Sequence, residues 1–594
     1  MKRLSHLLIV SIVVTLFIVL AESRGAAAQE FKGTVKVLVQ ADKPKAFLAP
    51  RALGVSWDIA GNEIQEPLMP QILASSGVTT LRYPGSRFAD IYHWSTNTTT
   101  GPGGAAAPGN DFGRFSQLLD RFGTAVVTVN YGSNLDGTTG GSPQEAAAWV
   151  AYSMGEPSNN AEIGKDASGH DWHTVSYWAS LRAAQPLAAD DGLNFLRIAH
   201  PNPVLIKYWE VGNEVYRNGF YDGNTIEYDL HAPYAKDAKD NERQRKGNPA
   251  LSPETYGSAF LQFAKAMKAV DSRVKVGASL DIPLSTDWNT SADWVQDPIS
   301  GKWFQKGTAE AAGLGGVQKG FDAGIDWDKN VLKVVGKDVD FVSLHWYVGD
   351  ATEASHYKDL DNGKTLMKPQ QEPRNILAAI EELLQKYAGQ SAQNVQVLVT
   401  EMGIKPYVNI PDKAVPALFA ADAYLTMVEF GIANVDWGIL HGDFLTDENK
   451  PGAVYFAPQM VRRLADLNDQ ILTATSSNPL LSVHASVHKD GSAGIMLINK
   501  DPKNNATVKV SVSGSKLGQA GNRYDFGKSS PAKDYAVPAV AAPELGNDFT
   551  VTVPSYTVTV LVIPKAHRSG EKLKMETCQP RKSCGSDKVL RLGS

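Results

Sequence analysis

Tyr208-Trp209-Glu210-Val211-Gly212-Asn213-Glu214-Val215-Tyr216 is the stretch from which the rest of the chain can be read. Aromatic and β-branched side chains up to Val211 suit a buried, pleated strand, and Gly212 ends it with a residue free to turn. The strand predicted over Val204–Val211 thus runs into an Asn-Glu pair at its C-terminal end. Polar groups at that position sit on the rim of a sheet.

Working outward, short β-branched runs alternate with amphipathic helical stretches from about residue 50 to 465, the pattern of βα units on a parallel sheet. Eight strands are expected, near Leu53–Trp57, Thr79–Tyr83, Ala125–Tyr131, Val204–Val211, Val274–Leu280, Val339–Trp346, Val395–Thr400 and Asn434–Leu440. Helices are expected over Ser142–Met154, Tyr256–Val270, Arg374–Tyr387, Ala414–Phe430 and Ala453–Leu467, with an extra one within Trp172–Ala184. Ser142-Pro143-Gln144-Glu145 reads as a capping box with proline at the first helical position. Several strand-to-helix links are long, near 95–112, 215–252, 282–322 and 348–372, which places the chemistry on the C-terminal face of a (β/α)₈ TIM barrel.

From about residue 470 the pattern changes to alternating strands, expected to form an antiparallel β-sandwich. Gly33–Ala41 alternates in the same way and is expected to cross back and pair with that sandwich. The expected organisation is a leader at 1–28, an N-terminal strand at 29–49, the barrel at 50–468, the sandwich at 469–565 and a disordered tail at 566–594. The leader reads as an export signal because Lys2 and Arg3 precede an apolar run closed by Ala26-Ala27-Ala28, so an extracellular or periplasmic location is expected. Cys578 and Cys584 are the only cysteines and could close a small loop in an oxidising compartment, which leaves thiol chemistry and cysteine-ligated zinc out of the core. A formal charge of −5 and a pI near 6.2 give no electrostatic reason for nucleic acid or an anionic membrane surface as partner. No later segment could span a bilayer, and a neutral substrate fits better.

Cleaving a glycosidic bond needs a carboxylic acid to protonate the leaving oxygen, a task for Glu214, while the Asn213 amide suits a sugar 2-hydroxyl. A second apolar strand, Val397-Leu398-Val399, ends on Thr400-Glu401-Met402-Gly403 and supplies the partner carboxylate, Glu401, as nucleophile. Arg82, in Leu81-Arg82-Tyr83-Pro84-Gly85, is a cation placed to pair with Glu401. His345 and Tyr347 fall on one face of the sixth strand and are expected to orient the two glutamates. Trp437 ends the eighth strand with a flat surface for a sugar ring, and Asn130, Tyr131 and Trp57 are further candidates for substrate contact. No His-Glu-x-x-His or comparable cluster occurs, so neither a metal nor another cofactor is expected.

Together these strand ends resemble the clan A glycoside hydrolases, which carry an Asn-Glu acid/base after strand four and a Glu nucleophile after strand seven. The resemblance covers the barrel and the accessory sandwich. It implies a covalent glycosyl-enzyme and double displacement. Within the clan, Trp209–Glu214, Arg82–Gly85 and Ser142–Val150 look most like the α-L-arabinofuranosidase family. Two segments depart from that family: Ser86-Arg87 stands where Gly-Asn is usual, and Thr400-Glu401-Met402-Gly403 where Asp-Glu-Trp-Asn is usual. The second is closer to the clan's cellulase-like members. The expected substrate is therefore a plant cell-wall glycan, with a glucanase, xylanase, β-glucuronidase or β-xylosidase of the same clan as the alternative. A non-catalytic carbohydrate-binding protein is the alternative of another class.

Overall fold

The computed structural model describes residues 33–566 apart from 62, 102–105, 222, 282–293, 297–302, 306–326, 349–363, 405–413 and 530–531. The leader, the two cysteines, the C-terminal tail and much of the long links near 282–322 and 348–372 lie outside the described residues.

Eight strands close into a parallel barrel. In chain order they are β2 (Leu53–Ser56), β3 (Thr80–Tyr83), β4 (Thr124–Val129), β5 (Tyr208–Val211), β6 (Lys275–Ser279), β7 (Phe341–Val348), β8 (Gln396–Ile404) and β9 (Asn434–Trp437), with β9 pairing to β2. Nearly every strand residue is buried, as expected where helices cover the outer face and side chains fill the interior. The interior is graded. A small apolar cluster of Val126, Tyr208, Phe341 and Leu398 lies at the N-terminal end of the strands. Two residues further along, Thr128, Glu210, Ser343 and Thr400 are buried polar groups. Period-two alternation carries each strand from floor to mouth in this way.

β8 breaks that alternation. Its register with β7 skips a residue between Val399 and Glu401, and its register with β9 shifts in the same place. This bulge turns consecutive side chains, Thr400 and Glu401, toward the barrel axis, where strict alternation would allow only one.

The helix starts follow local chemistry. The Ser142 hydroxyl accepts from the N–H groups of Gln144 and Glu145 at the head of the helix Pro143–Met154. The expected box is not reciprocal, however, because the Glu145 carboxylate pairs with His93 Nδ1 at 2.9 Å. Burial of that helix start supplies a stronger partner than the free N–H of its own cap.

The second unit is a nine-stranded sheet in the order β15-β14-β17-β12-β11-β10-β1-β13-β16. Its members are β1 (Val35–Phe47), β10 (Gln470–Ser476), β11 (Leu481–Val487), β12 (Ala493–Asn499), β13 (Ala506–Ser513), β14 (Ala520–Gly527), β15 (Ala539–Pro543), β16 (Asp548–Val553) and β17 (Thr557–Ile563). β1 comes from the other end of the chain and lies between β10 (antiparallel) and β13 (the one parallel pairing of this sheet). β12 is buried on both faces: Ile495 and Leu497 join the sheet's own apolar core, while Met496 and Ile498 join that of the barrel.

A charged cluster crosses this junction. Asp422, on the barrel helix Ala414–Glu429, receives Lys500 Nζ at 2.7 Å, Ser482 Oγ at 2.9 Å and His484 Nε2 at 2.9 Å. His484 Nδ1 meets Glu429 at 2.7 Å. Burial alone would lower the His484 imidazole, but Glu429 and Asp422 push it up from 6.5 to about 9. A raised folded-state value means stabilisation that is complete below about pH 6.5 and lost as pH climbs toward 9. Thermal unfolding scans across that window should show a falling Tm, worth on the order of 3 kcal/mol. Replacing His484 by Gln should flatten the slope, and a slope unchanged in His484→Gln would refute the assignment.

Candidate active site

The site is built from strand ends. Gly212 closes β5 at a φ of +72°, and a Cβ there would lie 2.5 Å from Val215 Cγ2 and 2.9 Å from Tyr131 Cβ. Only glycine fits. Glu214 follows at φ +40°, ψ +39°, a left-handed conformation that costs a non-glycine residue about 1–2 kcal/mol. Strain of this kind persists where surrounding contacts fix it, and here they do. His345 Nδ1 lies 2.9 Å from Glu214 Oε1, and Arg217 Nη1 lies 2.9 Å from Oε2.

Across the mouth, Glu401 accepts from Arg82 Nη1 at 2.7 Å on one oxygen and from the Tyr347 hydroxyl at 2.6 Å on the other. His345 Nδ1 is 3.6 Å from that second oxygen, so it stands between the two carboxylates. Oxygens of Glu214 and Glu401 and a nitrogen of His345 all lie within 4.8 Å of one another. Both glutamates are 7% exposed, enough to meet a ligand at the mouth yet largely out of bulk water.

Arg82 organises the floor beneath. Its Nε donates to Glu210 at 2.9 Å and its Nη2 to Asn213 Oδ1 at 2.8 Å, so one planar guanidinium reaches three different side chains. Burial alone would strip its proton, but Glu210 and Glu401 raise its affinity well above the usual arginine range. Burial would likewise raise the Glu210 carboxyl, and Arg82 and His345 hold it below the usual carboxylate range. Thr128 and Thr400 complete Glu210 with hydroxyl donors at 2.7 and 2.9 Å. Lysine offers no such fork. Arg82→Lys should cost roughly 10²-fold in kcat with a lowered Tm, by analogy with the loss of one preorganised donor. Wild-type kcat in that variant would remove Arg82 from the site.

Asp90 supports the Glu214 side of the cluster. Its carboxylate accepts from the N–H groups of Tyr131 and Gly132 at 3.2 Å each and of Asn213 at 3.0 Å, tying the ends of β4 and β5 together. Burial raises it to about 8 in spite of those donors. Glu227 is also buried, and burial together with the nearby Glu214 and Asp90 charges pushes it well above the usual range.

Of the residues singled out in the sequence, Arg82, Asn213, Glu214, His345, Tyr347 and Glu401 form one connected cluster. Trp437 lies beside it, 4% exposed, lining a narrow recess with Tyr347, Gly403 and His441 and packing edge-on against Phe419. The remaining three take other positions. Trp57 is fully buried, its indole N–H on Asn110 and its ring edge-on to Phe115, so its surface goes to packing. Tyr131 stacks on His231 at 4.4 Å and is 1% exposed. Asn130 spends its amide on Tyr92 O and Ser133 within the local turn. Each ends a strand and is engaged in these local contacts. The sequence reading passed over Glu210, Asp90, Arg217 and Glu227. A glutamate inside an otherwise apolar strand, as in Tyr208-Trp209-Glu210-Val211, was the available signal for the first, because a buried charge demands a partner.

No family model matches the sequence, and no curated protein does. Solved structures match in fold: the (β/α)₈ barrel with its separate nine-stranded sheet resembles clan A glycoside hydrolases of the arabinofuranosidase type. The α-L-arabinofuranosidase of Thermotoga maritima, solved with arabinose, superposes with a TM-score of 0.61 at 16% identity, over 89% of this chain and 100% of that one. The GH51 arabinofuranosidase from Xanthomonas axonopodis pv. citri gives 0.59 at 16% identity, over 90% and 100%. A Paenibacillus polymyxa xyloglucanase from glycoside hydrolase family 44 gives 0.53 at 15% identity, over 90% and 100%.

Proposed function

We propose that this protein is an exported retaining glycoside hydrolase of the arabinofuranosidase type, with Glu214 as general acid/base and Glu401 as nucleophile. The observation that carries this reading is the close approach of the two carboxylates, with one oxygen of Glu214 within 4.8 Å of one oxygen of Glu401. Retention needs carboxyl groups about 5–5.5 Å apart, whereas inversion needs about 6.5–9.5 Å to seat a water between them. Glu401 attacks the anomeric carbon while Glu214 gives its proton to the leaving oxygen. A sugar is then held on Glu401 as an ester, and Glu214, now a carboxylate, takes a proton from water as that water displaces Glu401. Arg82 and Tyr347 bind Glu401 at both oxygens and return it to the same position after each turnover. His345, between the carboxylates, steadies Glu214 in each of its two protonation states.

The five-membered arabinose ring is the leading substrate, on the likeness of Arg82–Gly85 and Trp209–Glu214 to that family. A second reading, a β-glycanase, is favoured by Thr400-Glu401-Met402-Gly403 and by Arg87, exposed where a sugar-binding asparagine would stand. A panel of 4-nitrophenyl glycosides together with arabinoxylan, xylan and xyloglucan separates the two. Release of arabinose alone supports the first, and shortened backbones support the second. Proton NMR of the first-formed anomer must show retention. Among the described residues no helix is long and apolar enough to cross a membrane.

A further inference from the structure

Gly403, in β8, and Gly438, directly after β9, take no part in the reaction above, and their backbone does not account for them. Neither adopts the positive φ that reserves Gly212 for glycine. Both are buried. What they share is a neighbour, Tyr347. Gly403 is its cross-strand partner in the β7–β8 pairing, and a Cβ on Gly403 would lie 2.9 Å from Tyr347 Cε1 and 3.1 Å from Cδ1. A Cβ on Gly438 would lie 2.6 Å from the Tyr347 hydroxyl oxygen and 3.2 Å from Cε1. Non-bonded carbon atoms settle at about 3.5–4.0 Å, so neither position has room for a side chain while the ring stays where it is.

The phenol thus leans from β7 across the end of β8 to the end of β9, over two positions without side chains. The backbone it crosses is tied down, because the Gly438 N–H donates to the Met402 carbonyl at 2.7 Å. A new side chain would therefore displace the ring. The Tyr347 hydroxyl is the atom that a methyl at 438 would meet most closely, and the same hydroxyl donates to Glu401 at 2.6 Å. Hydrogen bonds weaken steeply once distance and angle leave their narrow range, so a shift of about 1 Å is enough to lose this one.

We infer that Gly403 and Gly438 form a slot that fixes the Tyr347 phenol on Glu401, and that Gly438 is thereby a positioning residue for the nucleophile. Its effect on rate rests on the hydrolase reading, whereas the slot itself is a matter of packing. A hydroxyl held in place before substrate arrives needs no reordering during the reaction.

The test is a double-mutant cycle in the full chain: wild type, Gly438→Ala, Tyr347→Phe and the two together, assayed on a 4-nitrophenyl glycoside that the wild type cleaves. Losing a hydrogen bond to a charged group should lower kcat about 10–100-fold in each single variant, with KM changed less than about threefold. Tyr347→Phe removes the atom that the new methyl would meet, so adding Gly438→Ala to it should cost less than about twofold more. The 3.1 Å approach of that methyl to the Met402 carbonyl is present in both backgrounds. Full multiplication of the two single effects in the double variant overturns the slot, as does wild-type kcat in Gly438→Ala. If Gly438→Ala does not fold, the double variant decides: a cooperative melt regained with Phe at 347 supports the slot, and continued loss overturns it. If the wild type cleaves no glycoside, it is the hydrolase reading that has failed. Crystal structures of wild type and Gly438→Ala then decide the slot alone, because the Tyr347 hydroxyl should leave hydrogen-bond distance of Glu401 in the variant, and a hydroxyl still within about 3 Å overturns it.

Discussion

Glu401→Ala should lose turnover by a factor on the order of 10⁴–10⁶ on every glycoside the wild type cleaves. No neighbour can replace it. Arg82 has no lone pair to offer, the Tyr347 hydroxyl is a poor nucleophile that loses the acceptor positioning it, and Asn213 is already bonded to Arg82. The variant should nevertheless fold, because Arg82 keeps Glu210 as its counter-ion at 2.8 Å and no buried cation is left unpaired. Steady-state kinetics with a melting curve on the same sample check both halves of the statement. More than a few per cent of wild-type kcat in a folded Glu401→Ala protein would end the assignment.

Glu214→Ala should behave differently, and the difference identifies the acid. A 2,4-dinitrophenolate leaves without a proton, so glycosylation of Glu401 should proceed while water, lacking a base, attacks the intermediate slowly. On that substrate kcat should fall about 10²–10⁴-fold, and on substrates with poor leaving groups the first step should suffer as well. Azide needs no base and fits the space left by the carboxylate, so it should restore part of the rate. The product should be a glycosyl azide of the substrate's own anomeric configuration. An azide of opposite configuration would mean that the two glutamates had been given each other's roles.

The barrel was legible because its signal is redundant. Eight β-branched runs each separated by helical periodicity leave few other ways to bury both faces of a sheet, and misplacing one boundary does not change the class. Strand ends carry a weaker signal. The apolar run Val395–Thr400 predicts a strand that stops before Glu401, whereas β8 continues to Ile404, because the bulge at Thr400 is set by its neighbours and has no one-dimensional pattern. The central cluster was legible as polar residues at strand ends, where an apolar run stops at a charge. Trp57, Asn130 and Tyr131 satisfy the same description, and their partners Asn110, Tyr92 and His231 are distant in sequence, so their contacts have no linear pattern. Asp90 and Glu227 belong to loops, whose course is decided by tertiary contacts, and neither sits in a pattern that a linear reading can weigh.

The placement of β1 has a consequence for biosynthesis. Val35–Phe47 is made more than four hundred residues before either of its partners, Gln470–Ser476 and Ala506–Ser513. Through translation and any transport that follows, an alternating strand with both edges bare must wait for more than four hundred residues of chain. Its Lys36, Lys43 and Lys45 are the kind of charges that discourage such a strand from joining a stranger's sheet in the meantime. A stop codon before Gln470 would therefore release a product whose leading strand has neither partner and both edges bare.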